Sequence, residues 1–141
     1  MAYSQEEIDK IFNNIIFRIE NGEPLRRILT DEGMPSTQTF YVWLEDSEDK
    51  SKRYAGACDI RAEVIFEDIL NIADDVSKDY LKRDGVEVVN QEAIQRSRLR
   101  VDARKWVVSK LNPKKYGDKV DVTSGNEKLQ QIEPVTFKLS K

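Results

Sequence analysis

Apolar residues recur at spacings of three and four through most of this chain, and the breaks in that rhythm divide it into helices. Ile8, Ile11, Phe12, Ile15, Ile16 and Ile19 form a first stripe, preceded by Ser4 and Glu7 at capping-box spacing and followed by Asn21-Gly22. Pro24 suits the first turn of a second, short helix that buries Leu25, Ile28 and Leu29 and stops at Gly33. Ser36 then caps a third helix, with Phe40, Trp43 and Leu44 facing inward and Thr37, Gln38, Tyr41, Val42 and Glu45 facing out. Two short helices joined through the tight Gly33-Met34-Pro35 turn make a helix-turn-helix unit.

From about Lys50 to Val76 a long helix carries Cys58, Ala62, Ile65, Ile69, Ile72 and Val76 in alternating steps of four and three. Phe66, Leu70 and Ala73 broaden this stripe, whereas Ala57, Ile60 and Val64 lie away from it. Asp84-Gly85, between two segments that can extend, predicts a two-residue hairpin turn. A two-stranded hairpin is marginal alone, so a helix or a neighbour must support it. The helix from Gln91 to Leu111 then folds back antiparallel to the first long helix and ends at Asn112-Pro113.

On this second long helix Leu99, Ala103 and Trp106 fall on one side, and Ile94, Val101 and Val108 fall nearly opposite. Two apolar faces on one helix of a small chain point to a neighbouring subunit, the alternative being a helix sandwiched within its own chain. The candidate oligomerisation residues are Ile65, Ile69, Ile72, Leu99, Val101, Trp106 and Val108. Beyond Pro113, Lys114, Lys115, Tyr116 and Lys119 make a basic loop with no carboxylate before Asp118. Val120 and Val122, and later Val135, Phe137 and Leu139, alternate with polar neighbours as two strands. Strands contributed by successive subunits close into a barrel without free edges.

The fold class is therefore mainly α. A helix-turn-helix module occupies residues 1–52, a long antiparallel helical core with a small β-hairpin 53–113, and a basic loop with C-terminal β-strands forming an intersubunit barrel 114–141.

Charge sharpens this picture. The formal net charge of the 141 residues is −3, but positive charge is concentrated between residues 76 and 120. Arg96, Arg100 and Arg104 share one helical face, with Arg98 and Lys105 on another. Glu92 to Arg96 and Arg98 to Asp102 have i,i+4 spacing, so internal pairing and neutralisation of the acidic long helix account for most of these cations. In the first module only Lys10, Arg18, Arg26 and Arg27 are cationic, and carboxylates outnumber them. Affinity for a polyanion depends on cation contacts, so one copy binds DNA weakly and an array of copies compensates through avidity.

The chain has no histidine and a single cysteine, Cys58, which falls at core spacing. Histidine-based triads and the usual Cys/His zinc sites are excluded, as is an internal disulfide. The six glycines form no GxxxxGK[ST] phosphate loop. The carboxylates of the first long helix read as a solvated face rather than a divalent-metal cluster. We expect no enzyme, no cofactor and no metal. No segment reaches the length of a spanning helix, and MAYSQEEIDK does not resemble a secretion signal.

The run RLRVD, RKW, NPKKYGDK within residues 95–119, together with GMPSTQTFYVWL at 33–44 and AEVIFEDILNIADD at 62–75, resembles the small subunit of tailed-bacteriophage DNA-packaging terminases. The resemblance runs across the whole chain. It implies a non-catalytic ring of roughly eight to ten copies with cyclic symmetry. Such a ring recognises double-stranded viral DNA and presents it to a large subunit that carries the ATPase and nuclease, in the cytoplasm of the bacterial host cell. It also implies a C-terminal β crown around a channel and an extreme C-terminus, here Phe137, Leu139 and Lys141, that docks on the large subunit.

Residues expected at the DNA are Lys10, Arg18, Arg26, Arg27, Thr37, Gln38, Thr39, Lys114 and Lys115. Gln38 has the donor–acceptor pair that reads adenine, and Thr37 or Thr39 can contact base or phosphate. Two other readings stand beside this one. A dimeric helix-turn-helix transcription regulator would prefer a palindromic operator, and a structural ring or adaptor would have no DNA affinity of its own.

Overall fold

A computed structural model describes residues 2–118, together with the backbone pairing of residues 123–124 with 127–128. Helix α1, Gln5–Glu20, begins at the expected capping box. The Ser4 amide donates to Glu7 Oε2 at 2.8 Å, and Ser4 Oγ accepts the Glu7 amide at 3.2 Å. Two of the amides that a helix start leaves without intrahelical partners are satisfied in this way. Helices α2, Leu25–Ile28, and α3, Thr37–Asp46, follow, with Ser36 capping α3. Their order follows the helix-turn-helix expectation, but α2 is a single turn that ends with its cap at Leu29, short of the stop expected at Gly33.

The core of this module consists of Phe12, Ile15, Ile16, Ile19, Ile28, Phe40, Trp43 and Ala57. The Phe12 and Phe40 rings stack with centroids 6.0 Å apart, and Tyr54 meets the edge of Phe40 at 5.4 Å. Full burial of a Phe or Ile side chain contributes about 1.5–3 kcal/mol, so this cluster is enough to hold three short helices together.

Tyr54 and Ala57 belong to α4, Glu48–Asp74. The first turns of α4 therefore close the module's core, and the 52/53 boundary falls inside one continuous helix. Lys50 reaches Asp9 at 2.8 Å and Arg53 donates to Asn13 Oδ1 at 2.7 Å, both cations lying over the Phe12 ring. Gly22, at φ +98°, lets the chain turn against α4, where an added Cβ would come within 3.1 Å of Val64 Cγ1.

At the far end of α4, strands β1, Tyr80–Arg83, and β2, Val86–Val89, pair antiparallel with Tyr80 opposite Val89 and Arg83 opposite Val86. Asp84 and Gly85 take φ values of +51° and +80°, the positive pair that a primed two-residue turn requires. Helix α5, Gln91–Leu111, returns antiparallel along α4. Arg104 faces Asp68 at 3.8 Å, and beyond α5 Tyr116 stacks on Phe66 at 5.3 Å. Ala62, Ile65 and Val108 are buried in this helix pair.

The expected basic loop is instead a helical turn, α6, Pro113–Tyr116, with Pro113 at its first position and Asn112 as its cap. Strands β3, Thr123–Ser124, and β4, Glu127–Lys128, form a short antiparallel pair. The strands expected around 119–122 and 135–139, the intersubunit barrel, and Phe137, Leu139 and Lys141 lie outside the described residues.

Candidate nucleic-acid interface

The α3 cap sets the outward face of the module. Ser36 Oγ accepts the Thr39 amide at 3.2 Å, and its hydroxyl donates to Thr39 Oγ1 at 2.9 Å. Thr39 is thus part of the cap and half-buried, whereas Thr37 and Gln38 are exposed in the first turn. Tyr41 and Val42 continue this face, 46% and 48% exposed, while Phe40 and Trp43 on the other side are buried.

Arg26 and Arg27 project from α2 and are exposed. Arg26 lines a cleft of about 500 Å³ together with Leu25, Leu29, Thr37, Tyr41 and Tyr54. The turn between α2 and α3 therefore brings one cation, one hydroxyl and two phenols to a common groove beside the start of α3. Neither arginine forms an ion pair among the described residues. Lys10 is exposed on α1.

Arg18 is placed differently from the expectation. Its guanidinium donates from Nε and Nη2 to both Glu23 oxygens, at 3.0 and 2.6 Å, and from Nη1 to Asp31 Oδ2 at 2.6 Å. These hydrogen bonds hold the arginine cationic and keep the Glu23 carboxyl below its usual value. With its donors turned onto two carboxylates, Arg18 fastens α1 to the segments flanking α2 and is not a free cation for phosphate. Glu23 and Asp31 meet it through the fold of the turn, which helix spacing does not reveal.

Lys115 also departs from the expectation. It pairs with Glu63 on α4, and that hydrogen bond, with help from Tyr116, lowers the Glu63 carboxyl and raises the lysine. Lys114, on the same helical turn, remains exposed. A carboxylate distant in sequence is thus adjacent in space, and Lys115 secures α6 to α4.

The seven candidate oligomerisation residues divide by exposure. Ile65 and Val108 are 8% and 4% exposed, and Ile69, Ile72 and Val101 are half-buried along the line where α4 meets α5. These five are covered wholly or in part within one chain. Leu99 and Trp106 remain 60% and 65% exposed on α5, where the Lys110 ammonium lies 5.7 Å from the Trp106 ring centroid and Trp106 borders one groove with Phe66, Ile69, Val108 and Tyr116. On α4, Ile60, Phe66 and Leu70 are likewise exposed.

Sequence reading did not assign Phe17, which is 66% exposed beside Ile60 and Gly56 in a groove between α1 and α4. Its place next to Ile16, just outside the three-and-four stripe, was the available signal. Cys58 is half-buried beside Tyr54, and burial pushes its thiol pKa up, so the group is held as a thiol rather than a nucleophilic thiolate. Among the described residues no Cys, Asp and Glu group is arranged to hold a metal, and no helix is long and apolar enough to cross a membrane.

Six solved chains match this one. One is the terminase small subunit gp1 of the bacterial virus Sf6, solved as a point variant, with 33% identity over 95% of this chain and 98% of that one and a TM-score of 0.61. Two further point variants of the same Sf6 protein are 33% identical over 96% of this chain and 95% of theirs, each with a TM-score of 0.60. No curated protein matches. Residues 7–123 match the model of the family described as bacteriophage Sf6, terminase small subunit-like. A match across α1 to β3 covers the module, the helix pair and the hairpin together, and the chain belongs to the bacteriophage Sf6 terminase small subunit-like family.

Proposed function

We propose that this terminase small subunit is a non-catalytic DNA-recognition ring. In the host cytoplasm it gathers viral double-stranded DNA and presents it to the large subunit for cleavage and ATP-driven packaging into the procapsid. The observation that carries this reading is the exposed, uncommitted groove of Arg26, Thr37 and Tyr41 beside the start of α3, on a chain of this family. A helix-turn-helix offers that end of its second helix to the major groove.

Gln38, exposed one position further along α3, is the base-reading candidate, with Arg26, Arg27 and Lys10 as phosphate contacts and Lys114 as a second cationic point. Few cations per copy make each module weak, and a ring multiplies weak contacts into useful retention. Leu99 and Trp106 supply apolar surface for that ring, and the chain's C-terminus supplies the large-subunit contact.

Light scattering on the purified protein and duplex titration across a salt series test this together. The reading expects a closed particle of many 16.4 kDa copies, with DNA retention falling steeply as salt rises. A dimer that prefers a palindrome would favour the regulator, and a ring that ignores DNA at low salt would favour the adaptor.

A further inference from the structure

The outward face of α3 carries an apolar residue that neither the core nor the cleft uses. Val42 is 48% exposed, takes no part in the module's core, and does not line the groove of Arg26, Thr37, Tyr41 and Tyr54. Folding does not explain it there, because a β-branched residue on a solvent-facing helical turn is a weaker helix former than alanine and leaves its methyls in water.

Helical phase sets Val42 beside Gln38. The buried Phe40 and Trp43 define the inward direction of α3. At about 100° per residue Gln38 points almost directly away from them, with Val42 about 40° round from Gln38. The two are four positions apart, so their Cβ atoms are about 5–6 Å from one another. Thr37 and Tyr41 make the neighbouring row, which borders the cleft with Arg26. An amide and an isopropyl group therefore form the crest of the face, and hydroxyls and a guanidinium form its flank.

Charge limits where a duplex meets this crest. Glu45 and Asp46 end α3, Glu48 and Asp49 begin α4, and all four are exposed. That end repels phosphate, whereas Arg26 stands in the cleft beside the first turn. DNA on this module lies over the stretch from Thr37 to Val42.

The chemistry of the major groove then selects a partner for each group on the crest. A side-chain amide matches the donor–acceptor edge of adenine. The methyl group of thymine is the one apolar group that unmodified base pairs present in this groove, so an apolar side chain finds its match only there. Successive bases are about 3.4 Å apart along the duplex axis, and the spacing of Gln38 and Val42 addresses base pairs about one or two steps apart.

We infer that Val42 is a specificity-determining residue that reads the thymine methyl, so that with Gln38 on adenine each module prefers two A·T pairs in close succession. The inference rests on the DNA-recognition reading and names its sequence class. Copies arrayed on a ring engage several such short sites together, and a modest preference per module accumulates.

The test compares two forms of one A·T-rich duplex pool of random order, the second carrying deoxyuridine in place of every thymidine. The forms share phosphates, base pairing and groove hydrogen-bonding groups, and differ in the methyl alone. The full-length protein in its native assembly is titrated with each form at the same low salt. The parent retains the thymine form more strongly, by about four-fold for each methyl contacted, the effect of taking one CH₂-sized group out of water. Val42→Ala binds the two forms equally. Circular dichroism and native mass verify that this exposed substitution keeps the fold and the assembly, and the comparison on the parent protein needs no substitution at all.

Equal retention of both forms by the parent, or a methyl preference that survives in Val42→Ala, overturns the assignment of Val42 and leaves the salt-dependent DNA reading in place. A parent that retains neither form at low salt overturns the DNA reading and this inference with it.

Discussion

Arg18 and Asp31 are joined at 2.6 Å across thirteen positions of sequence, and the same guanidinium holds both oxygens of Glu23. One side chain thus ties the end of α1 to the segments on either side of α2. The orientation of α2 relative to α1, and with it the position of Arg26 and Arg27, depends on this clamp.

The clamp has a pH signature. The Glu23 carboxyl sits below its ordinary value of 4.5, chiefly because of its hydrogen bonds from Arg18. A carboxylate with a depressed folded-state pKa contributes stability that is fully present above its unfolded value and lost as pH falls through the folded one. Glu23→Gln should therefore lower the melting temperature at neutral pH, and the gap from the parent protein should close as pH drops below about 4.5. Thermal melts at neutral and acidic pH check this, and a gap that persists unchanged in acid would refute the contribution.

Gly22 provides a second, independent test of how α1 meets α4. It combines φ +98° with a position where an added Cβ would lie 3.1 Å from Val64 Cγ1. Gly22→Ala should cost about 1 kcal/mol or more, since the alanine must adopt an unfavourable backbone conformation and displace Val64. Gly33, also at positive φ, has open space at the same point. Gly33→Ala should therefore cost less than Gly22→Ala in chemical denaturation, the difference measuring the Val64 contact.

Much of the fold was legible because its signals are local. Ser4 with Glu7, Ser36, Asp84-Gly85 and Asn112-Pro113 each mark a boundary through chemistry within a few residues, and α1, α3, the hairpin and α5 begin or end there. Helix α4 was less legible because its partner changes along its length. Tyr54 and Ala57 face α1 and α3, whereas Ile65 faces α5, so no single stripe describes it. The site was harder still. Exposure of Thr37 and Gln38 followed from helical phase, but the pairing of Arg18 with Glu23 and Asp31, and of Lys115 with Glu63, depends on tertiary proximity that no spacing rule encodes.

Trp106 separates assembly from stability. It is 65% exposed, so Trp106→Ala removes little from the chain's own core. A Trp at the centre of an intersubunit contact is a hot spot, and its loss costs about 2 kcal/mol per contact, roughly 30-fold in affinity. The variant should therefore retain its melting behaviour at the secondary-structure level while its native mass declines on dilution. Sedimentation velocity over a concentration series checks this. A particle as persistent as the parent would remove Trp106 from the interface.

Arg26 and Arg27 carry the corresponding test for DNA. They are exposed, and neither has an ion-pair partner among the described residues, so truncating either leaves no buried carboxylate behind. Arg26→Ala or Arg27→Ala should weaken duplex retention across all sequences and reduce the steepness of its salt dependence by about one unit for each phosphate that is no longer neutralised. Native mass should not change, because both residues lie on α2, apart from the Leu99 and Trp106 surface on α5 that we propose for the ring. Gln38→Ala should behave differently, relaxing preference among sequences while leaving the salt slope nearly intact, since a base-edge contact releases no counterion. Arg18→Ala supplies the internal contrast: it should lower the melting temperature without the flattened salt dependence that marks a missing phosphate partner. If Arg18→Ala flattened the salt slope as much as Arg27→Ala while the fold stayed equally stable, the clamp would have to open on binding, and Arg18 would rejoin the DNA-contacting set.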